Sequence, residues 1–129
     1  MKKLMKMGAA VALAVVLMSA AKGDSAITKE NGMTVVNTTT LCKDVEGYNG
    51  TVPVKIYIKK NKIEKIEVLP NQEGRKYMAM VKKQLLEKWN GLTVKKAREQ
   101  QVDAVTGATF TSEALIKNVQ RGLDHYQKK

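Results

Sequence analysis

Asp103-Ala104-Val105-Thr106-Gly107-Ala108-Thr109-Phe110-Thr111-Ser112 is the stretch of this chain that fits neither a packed core nor an ordinary solvated surface. It gathers three threonines, a serine and a glycine directly before a helical pattern. That pattern is an apolar stripe at Ala114, Leu115 or Ile116, Val119 and Leu123, and it predicts a helix from about Ser112 to Tyr126. The first turn of a helix has N–H groups without intrahelical acceptors and carries the positive end of the dipole. A phosphate is stabilised at such a place. Gly107 lets the backbone turn or approach a ligand closely, and Ala104 and Ala108 leave room. Thr111 and Ser112 supply hydroxyls at the helix mouth. The same residues also describe a plain helix cap with a loop glycine, and physical chemistry alone leaves both readings open.

Other chemistries find little support. The stretch lacks the Gly-Lys-Ser/Thr ending of a phosphate-binding P-loop and is not a G-x-S-x-G elbow. One histidine, His125, near the far end of the predicted helix, gives a Ser-His-Asp triad no basis. Cys42 and His125 cannot close a zinc site, which takes about four ligands. A single cysteine forms no internal disulfide, and C-x-x-C-H for haem is absent. No glycine-rich dinucleotide fingerprint is present, so an autonomous nicotinamide-dependent reductase is not indicated.

The elements that must position this stretch are legible from periodicity. Met33–Val45 is rich in Val and Thr and reads as strand. Glu46–Gly50 is a turn. Val52, Val54, Ile56 and Ile58 then alternate with Pro53, Lys55, Tyr57 and Lys59, which is a half-buried strand. Lys60-Asn61-Lys62 turns the chain, with Asn61 suited to a left-handed conformation. A second strand runs from about Ile63 to Leu69, and its alternation slips between Ile63 and Ile66, as a bulge would cause. Met78, Val81, Leu85 and Trp89 recur at helical spacing and predict a helix from about Glu73 to Lys88, closed near Asn90-Gly91. Thr93–Gln101 is ambiguous in its pattern, with a short helix capped by Thr93 as one reading. The fold class is α+β: a small antiparallel sheet with helices packed on one face, in a single domain.

The N-terminus is different. Lys2, Lys3 and Lys6 precede an apolar run at Ala10–Met18, then small Ser19-Ala20-Ala21 and polar Lys22-Gly23-Asp24. That order is expected of a secretory signal over 1–21, and the apolar run is too short to span a bilayer comfortably, with a retained N-terminal anchor as the other reading. A flexible lead-in over 22–32 and a domain over 33–129 follow. The chain has 23 Lys and Arg against 12 Asp and Glu, a formal net charge of +11, which becomes +8 once the three lysines of the signal are gone. Such a surface attracts anionic partners. Export and the scatter of the lysines argue against nucleic acid.

The chemical stretch resembles the flavinylation motif of the FMN-binding domain family: Asp, two variable residues, Ser or Thr, Gly, Ala, Ser or Thr, one variable residue, Thr. Asp103, Thr106, Gly107, Ala108, Thr109 and Thr111 meet every fixed position. Gly47-Tyr48-Asn49-Gly50 with the alternating strand after it is similar to the family's Gly-Tyr-x-Gly strand opening, so the resemblance runs from about Val45 to Leu123. Of the family's acidic-Thr-Pro-Gly turn before the first long helix, Glu73-Gly74-Arg75 keeps only part. The family includes flavin subunits of Rnf complexes and of the sodium-pumping NADH:quinone reductase, and small exported stand-alone domains. The resemblance implies an electron carrier outside the cytoplasmic membrane, with no catalysis of its own. It implies FMN bonded covalently by a phosphoester to Thr111, placed there by an ApbE-type flavin transferase that uses FAD and magnesium. Thr106, Thr109 and Ser112 are then expected to bond phosphate oxygens, and Asp103 to fix the loop or be recognised by the transferase. Membrane or exported redox proteins are the expected partners. Tyr48, Tyr77, Trp89 and Phe110 are the candidates to contact the flavin ring.

Overall fold

The computed structural model describes residues 26–128. The expected signal over 1–21 lies outside them. A four-stranded antiparallel sheet runs in sequence order: β1 (Ile27–Glu30), β2 (Met33–Asn37), β3 (Val54–Lys59) and β4 (Lys62–Val68). Three helices follow: α1 (Arg75–Leu85), with a 3-10 turn at Leu86–Lys88, α2 (Val94–Glu99) and α3 (Thr109–Gln127). The α+β expectation holds.

Local chemistry accounts for the sheet. Both tight turns place two consecutive residues at positive φ: Asn31 at 49° with Gly32 at 80°, and Lys60 at 51° with Asn61 at 62°. Such two-residue turns match the twist of the strands they join. The expected lead-in over 22–32 is therefore corrected from Ile27 onward. Asn31-Gly32 is a hairpin turn, and Ile27–Glu30 pairs with Met33–Val36 as an edge strand. The expected strand over Met33–Val45 stops at Asn37. Its side-chain oxygen accepts from the Thr39 N–H and hydroxyl, which turns the backbone out of the ladder.

The bulge predicted in β4 is present. Tyr57 faces Lys65 and Ile58 faces Ile63, so Glu64 is the extra residue. The bulge brings Ile63 and Ile66 to the buried face although they lie three apart. Residues beyond the 3-10 turn cover the outer edge of β4. Gly91 N–H bonds Ile63 O at 2.8 Å, and Ile63 N–H bonds Leu92 O at 2.9 Å. The first helix begins later than expected, at Arg75, because Glu73 N–H is held by the Asn71 side chain at 3.0 Å. Thr93 caps α2 as expected, accepting from Lys96 N–H at 3.1 Å.

The core lies between the sheet and the helices. Val36, Ile56, Ile58, Ile63 and Ile66 pack with Val81, Leu85, Trp89, Leu115, Val119 and Leu123. Helix α3 lies against β2 and β3, and α1 and α2 pack against α3. The opposite face is only partly wet. Val35 and its partner Tyr57 are buried there, with the Lys65 ammonium 4.6 Å from the Tyr57 ring centroid. The Tyr57 phenol donates to Glu67 at 2.9 Å. That hydrogen bond, then burial, pushes its pKa up to about 12.

Two predictions follow from this packing. Thr38 Oγ accepts Val54 N–H at 2.9 Å and donates to buried Asn118. Thr38→Val strands the Val54 donor and is expected to cost about 1–3 kcal/mol in urea unfolding. A loss below about 0.5 kcal/mol would show that water replaces the hydroxyl. Tyr57 holds its proton more tightly when folded, so it should withdraw stability as pH rises from about 10 toward about 12. Tyr57→Phe should lessen that fall in an alkaline melting series.

Candidate flavin site

Helix α3 begins one residue after Ala108, and Gly107 precedes it at φ 88°, a conformation that favours glycine. Thr111 is thus the third helical residue and not the cap. No side chain caps the helix. The first turn is instead tied from inside. Ser112 Oγ donates to Ala108 O at 2.7 Å and accepts Val105 N–H at 2.9 Å. Ser112 is fully buried. The expectation that its hydroxyl bonds a phosphate is corrected: those two bonds commit it to shaping the 105–108 turn.

A cleft of about 530 Å³ opens at this helix start. Gly107, Ala108, Thr109, Phe110 and Thr111 line one side, and Tyr48, Asn49, Gly74 and Tyr77 the other. Tyr48, Tyr77 and Phe110 are the exposed large hydrophobic residues among those described, at 75%, 49% and 61%, and all three line this cleft. Tyr48 and Phe110 stack with ring centroids 6.4 Å apart. Trp89 is removed from the candidates for ring contact, because it is 1% exposed within the core. Thr106 and Asp103 are exposed and do not line the cleft.

Glu73 was outside the site residues expected from sequence, and it ties together three residues that line the cleft, Tyr48, Asn49 and Thr111. Glu73 is 7% exposed. Oε1 accepts Tyr48 N–H at 2.8 Å and Oε2 accepts Asn49 N–H at 2.6 Å. Oε1 also accepts the hydroxyl of Thr111. Gly47 makes this possible, since a Cβ there would lie 2.6 Å from Glu73 Oε1. Gly74 likewise leaves space for the Tyr77 ring, whose Cδ2 would be 3.1 Å from an added Cβ. The signal for Glu73 was faint: an acid beside a glycine in a turn, with partners 24 to 38 residues away.

The donor set suits a planar aromatic ligand bearing a phosphate. Three exposed rings offer flat apolar surface. The open N-terminus of α3 offers N–H donors. The profile of the FMN-binding domain family matches residues 47–124, from the Gly47 loop to the last turns of α3. The chain belongs to the FMN-binding domain family. No curated protein matches it significantly. As a member of that family it is an FMN-binding flavoprotein, and the matched span contains every residue lining the cleft.

Ser112→Ala is expected to lower stability by about 1–3 kcal/mol, because the buried Val105 N–H loses its acceptor. Hydrogen exchange at Val105 should accelerate with it. Unchanged protection there would mean that the 105–108 turn is held by something other than the Ser112 hydroxyl.

Proposed function

We propose that this chain is an exported electron carrier whose FMN is bonded through its phosphate to the Thr111 hydroxyl. One observation carries the reading: the last Thr of a complete flavinylation motif lines the cleft on which the exposed aromatic residues converge. The phosphodiester keeps a negative charge, and the N–H groups of Thr109 and Phe110 at the start of α3 are the donors to hold it. Thr109 adds a hydroxyl at the rim. Tyr48, Tyr77 and Phe110 provide the ring contacts. Exposed Asp103 stands where a transferase of the ApbE type can recognise the loop, and Thr106, outside the cleft lining, is not assigned the phosphate contact expected of it.

Bound flavin supplies reversible electron acceptance and release. The protein's part is to hold the ring beside the surface, within reach of a donor and an acceptor. The carrier then works outside the cytoplasmic membrane, after removal of a signal over 1–21, and exchanges electrons with membrane or exported redox proteins. Its net positive charge favours acidic docking faces. Catalysis of its own is not part of this reading.

The test is co-production with an ApbE-type transferase in an exporting host, followed by intact mass and in-gel fluorescence. The wild type should gain the mass of one FMN less one water, with fluorescence that survives denaturation. Thr111→Ala should gain neither while still melting cooperatively. Covalent flavin on Thr111→Ala would overturn the assignment. An unmodified wild type, beside a transferase active on another substrate, would favour a module that binds an anionic partner through its basic surface.

A further inference from the structure

Glu73 is a buried acid in contact with the atom that the proposed function makes reactive. Its side chain is clamped. Tyr48 N–H holds one oxygen at 2.8 Å and Asn49 N–H the other at 2.6 Å, so the carboxylate cannot swing away without freeing two backbone donors. The oxygen nearer Gly47 also accepts the Thr111 hydroxyl. A hydroxyl whose hydrogen is held by a carboxylate has its lone pairs free for attack and a proton acceptor in place.

We propose that Glu73 orients the Thr111 hydroxyl and receives its proton as the flavin is attached. This rests on Thr111 being the attachment residue. The step balances without oxidation or reduction. Thr111 Oγ attacks the FMN-side phosphorus of FAD, and a new O–P bond forms. The diphosphate P–O bond breaks, and AMP leaves with the bonding pair. The hydroxyl proton passes to Glu73. That destination matters afterwards, because the ester oxygen has no hydrogen left to donate. A carboxylate facing the new phosphodiester anion would repel it, whereas the neutral acid has a hydrogen to donate to it. Glu73 thus serves the attachment point before and after transfer.

The experiment measures initial rates of FMN attachment to the full chain by intact mass, with an ApbE-type transferase, FAD and magnesium, across a range of acceptor-protein concentrations. Wild type, Glu73→Gln, Gly47→Ala and Thr111→Ala are compared, each with its melting midpoint. In Glu73→Gln the amide oxygen can keep the Tyr48 and Thr111 bonds, the amide NH2 replaces the oxygen that accepted Asn49 N–H, and proton acceptance is lost. Its kcat should fall by at least about 100-fold, as for removal of a general base, with KM for the acceptor protein within about twofold. Gly47→Ala keeps every hydrogen-bonding group and displaces the carboxylate, because its Cβ would meet Glu73 Oε1 at 2.6 Å. Its kcat should fall about 10-fold. Wild-type kcat in Glu73→Gln overturns the proposal, and so does a loss confined to KM, which would make Glu73 a shaper of the docking loop only. Should Glu73→Gln fail to melt cooperatively, Gly47→Ala decides by the same criterion. Wild type that stays unlabelled, beside a transferase active on another acceptor, overturns the attachment reading and this inference with it. Labelled wild type and unlabelled Thr111→Ala, with both other variants at full rate, overturn the inference alone.

Discussion

A carboxylate taken out of water must be met by donors, and Glu73 is met by three. They come from the loop before β3 and from the first turn of α3, which are far apart in the chain. The Glu73 backbone is itself fixed by Asn71, whose side chain also donates to Leu69 O at 3.0 Å. One group therefore holds three separate segments in a single arrangement. Charge-assisted bonds to backbone N–H are stronger than neutral ones, so the arrangement is stiff. Gly47 is required by the close approach of the acid and not by its own backbone angles. The Gly-Tyr-Asn-Gly loop, the Glu-Gly turn and the threonine-rich helix start are parts of one construction.

Stiffness at the cleft also needs a helix that does not slide. Four ties distribute that constraint along α3. Asn118 meets Thr38 in the core. Gly122 has no side chain where the helix crosses the sheet, and a Cβ there would lie 2.7 Å from Ile56 Cδ1. The Arg121 guanidinium spans both oxygens of Asp44 at 2.7 and 3.1 Å and holds that carboxyl below its ordinary pKa. Tyr126 donates to Asn61 at 2.7 Å, which joins the last turn of α3 to the β3–β4 turn. The exposed pairs contribute little energy each. Together with the core contacts they set the register of the helix, and register places Thr111. The Thr111 hydroxyl thus sits on a helix held in register, while Tyr48, across the cleft, sits on a loop.

What could be read from sequence followed the range of the interaction. The β3 alternation, the bulge at Glu64, the Thr93 cap and the α1 stripe are local patterns, and each was legible. Asn31-Gly32 was equally local, a strong hairpin signal masked by the polar residues around it. Thr38–Val45 read as strand because Thr and Val favour strands, but the Asn37 side chain won locally. At the site, the motif drew attention to Thr111 and its neighbours without showing which hydroxyls were available. Ser112 and Thr111 are adjacent and chemically alike. Only the fold turns one to Ala108 and Val105 and the other to Glu73. Glu73 itself was missed because every partner of its carboxylate is distant in sequence. Trp89 was indistinguishable from the cleft aromatics by residue type, and its helical spacing with Met78 and Leu85 was the better guide.

The exposure of the cleft residues bears on why attachment would be covalent. Pockets that retain small molecules by contact alone bury most of the ligand surface. Here two of the rings are more than half exposed, Tyr48 at 75% and Phe110 at 61%. A ring resting on them keeps an edge toward solvent, which suits electron exchange with a docked partner. The same openness limits the contact energy that would hold a dissociable flavin. A bond from the phosphate to Thr111 separates the two demands. Retention would come from the helix start, where Thr111 is 4% exposed, while the aromatic rim would stay open for exchange. Under that division the rim need only orient the ring, and its residues can vary in size and exposure. The helix start has less freedom: Gly107 must turn, Ser112 must hold the turn, and Glu73 must meet the hydroxyl.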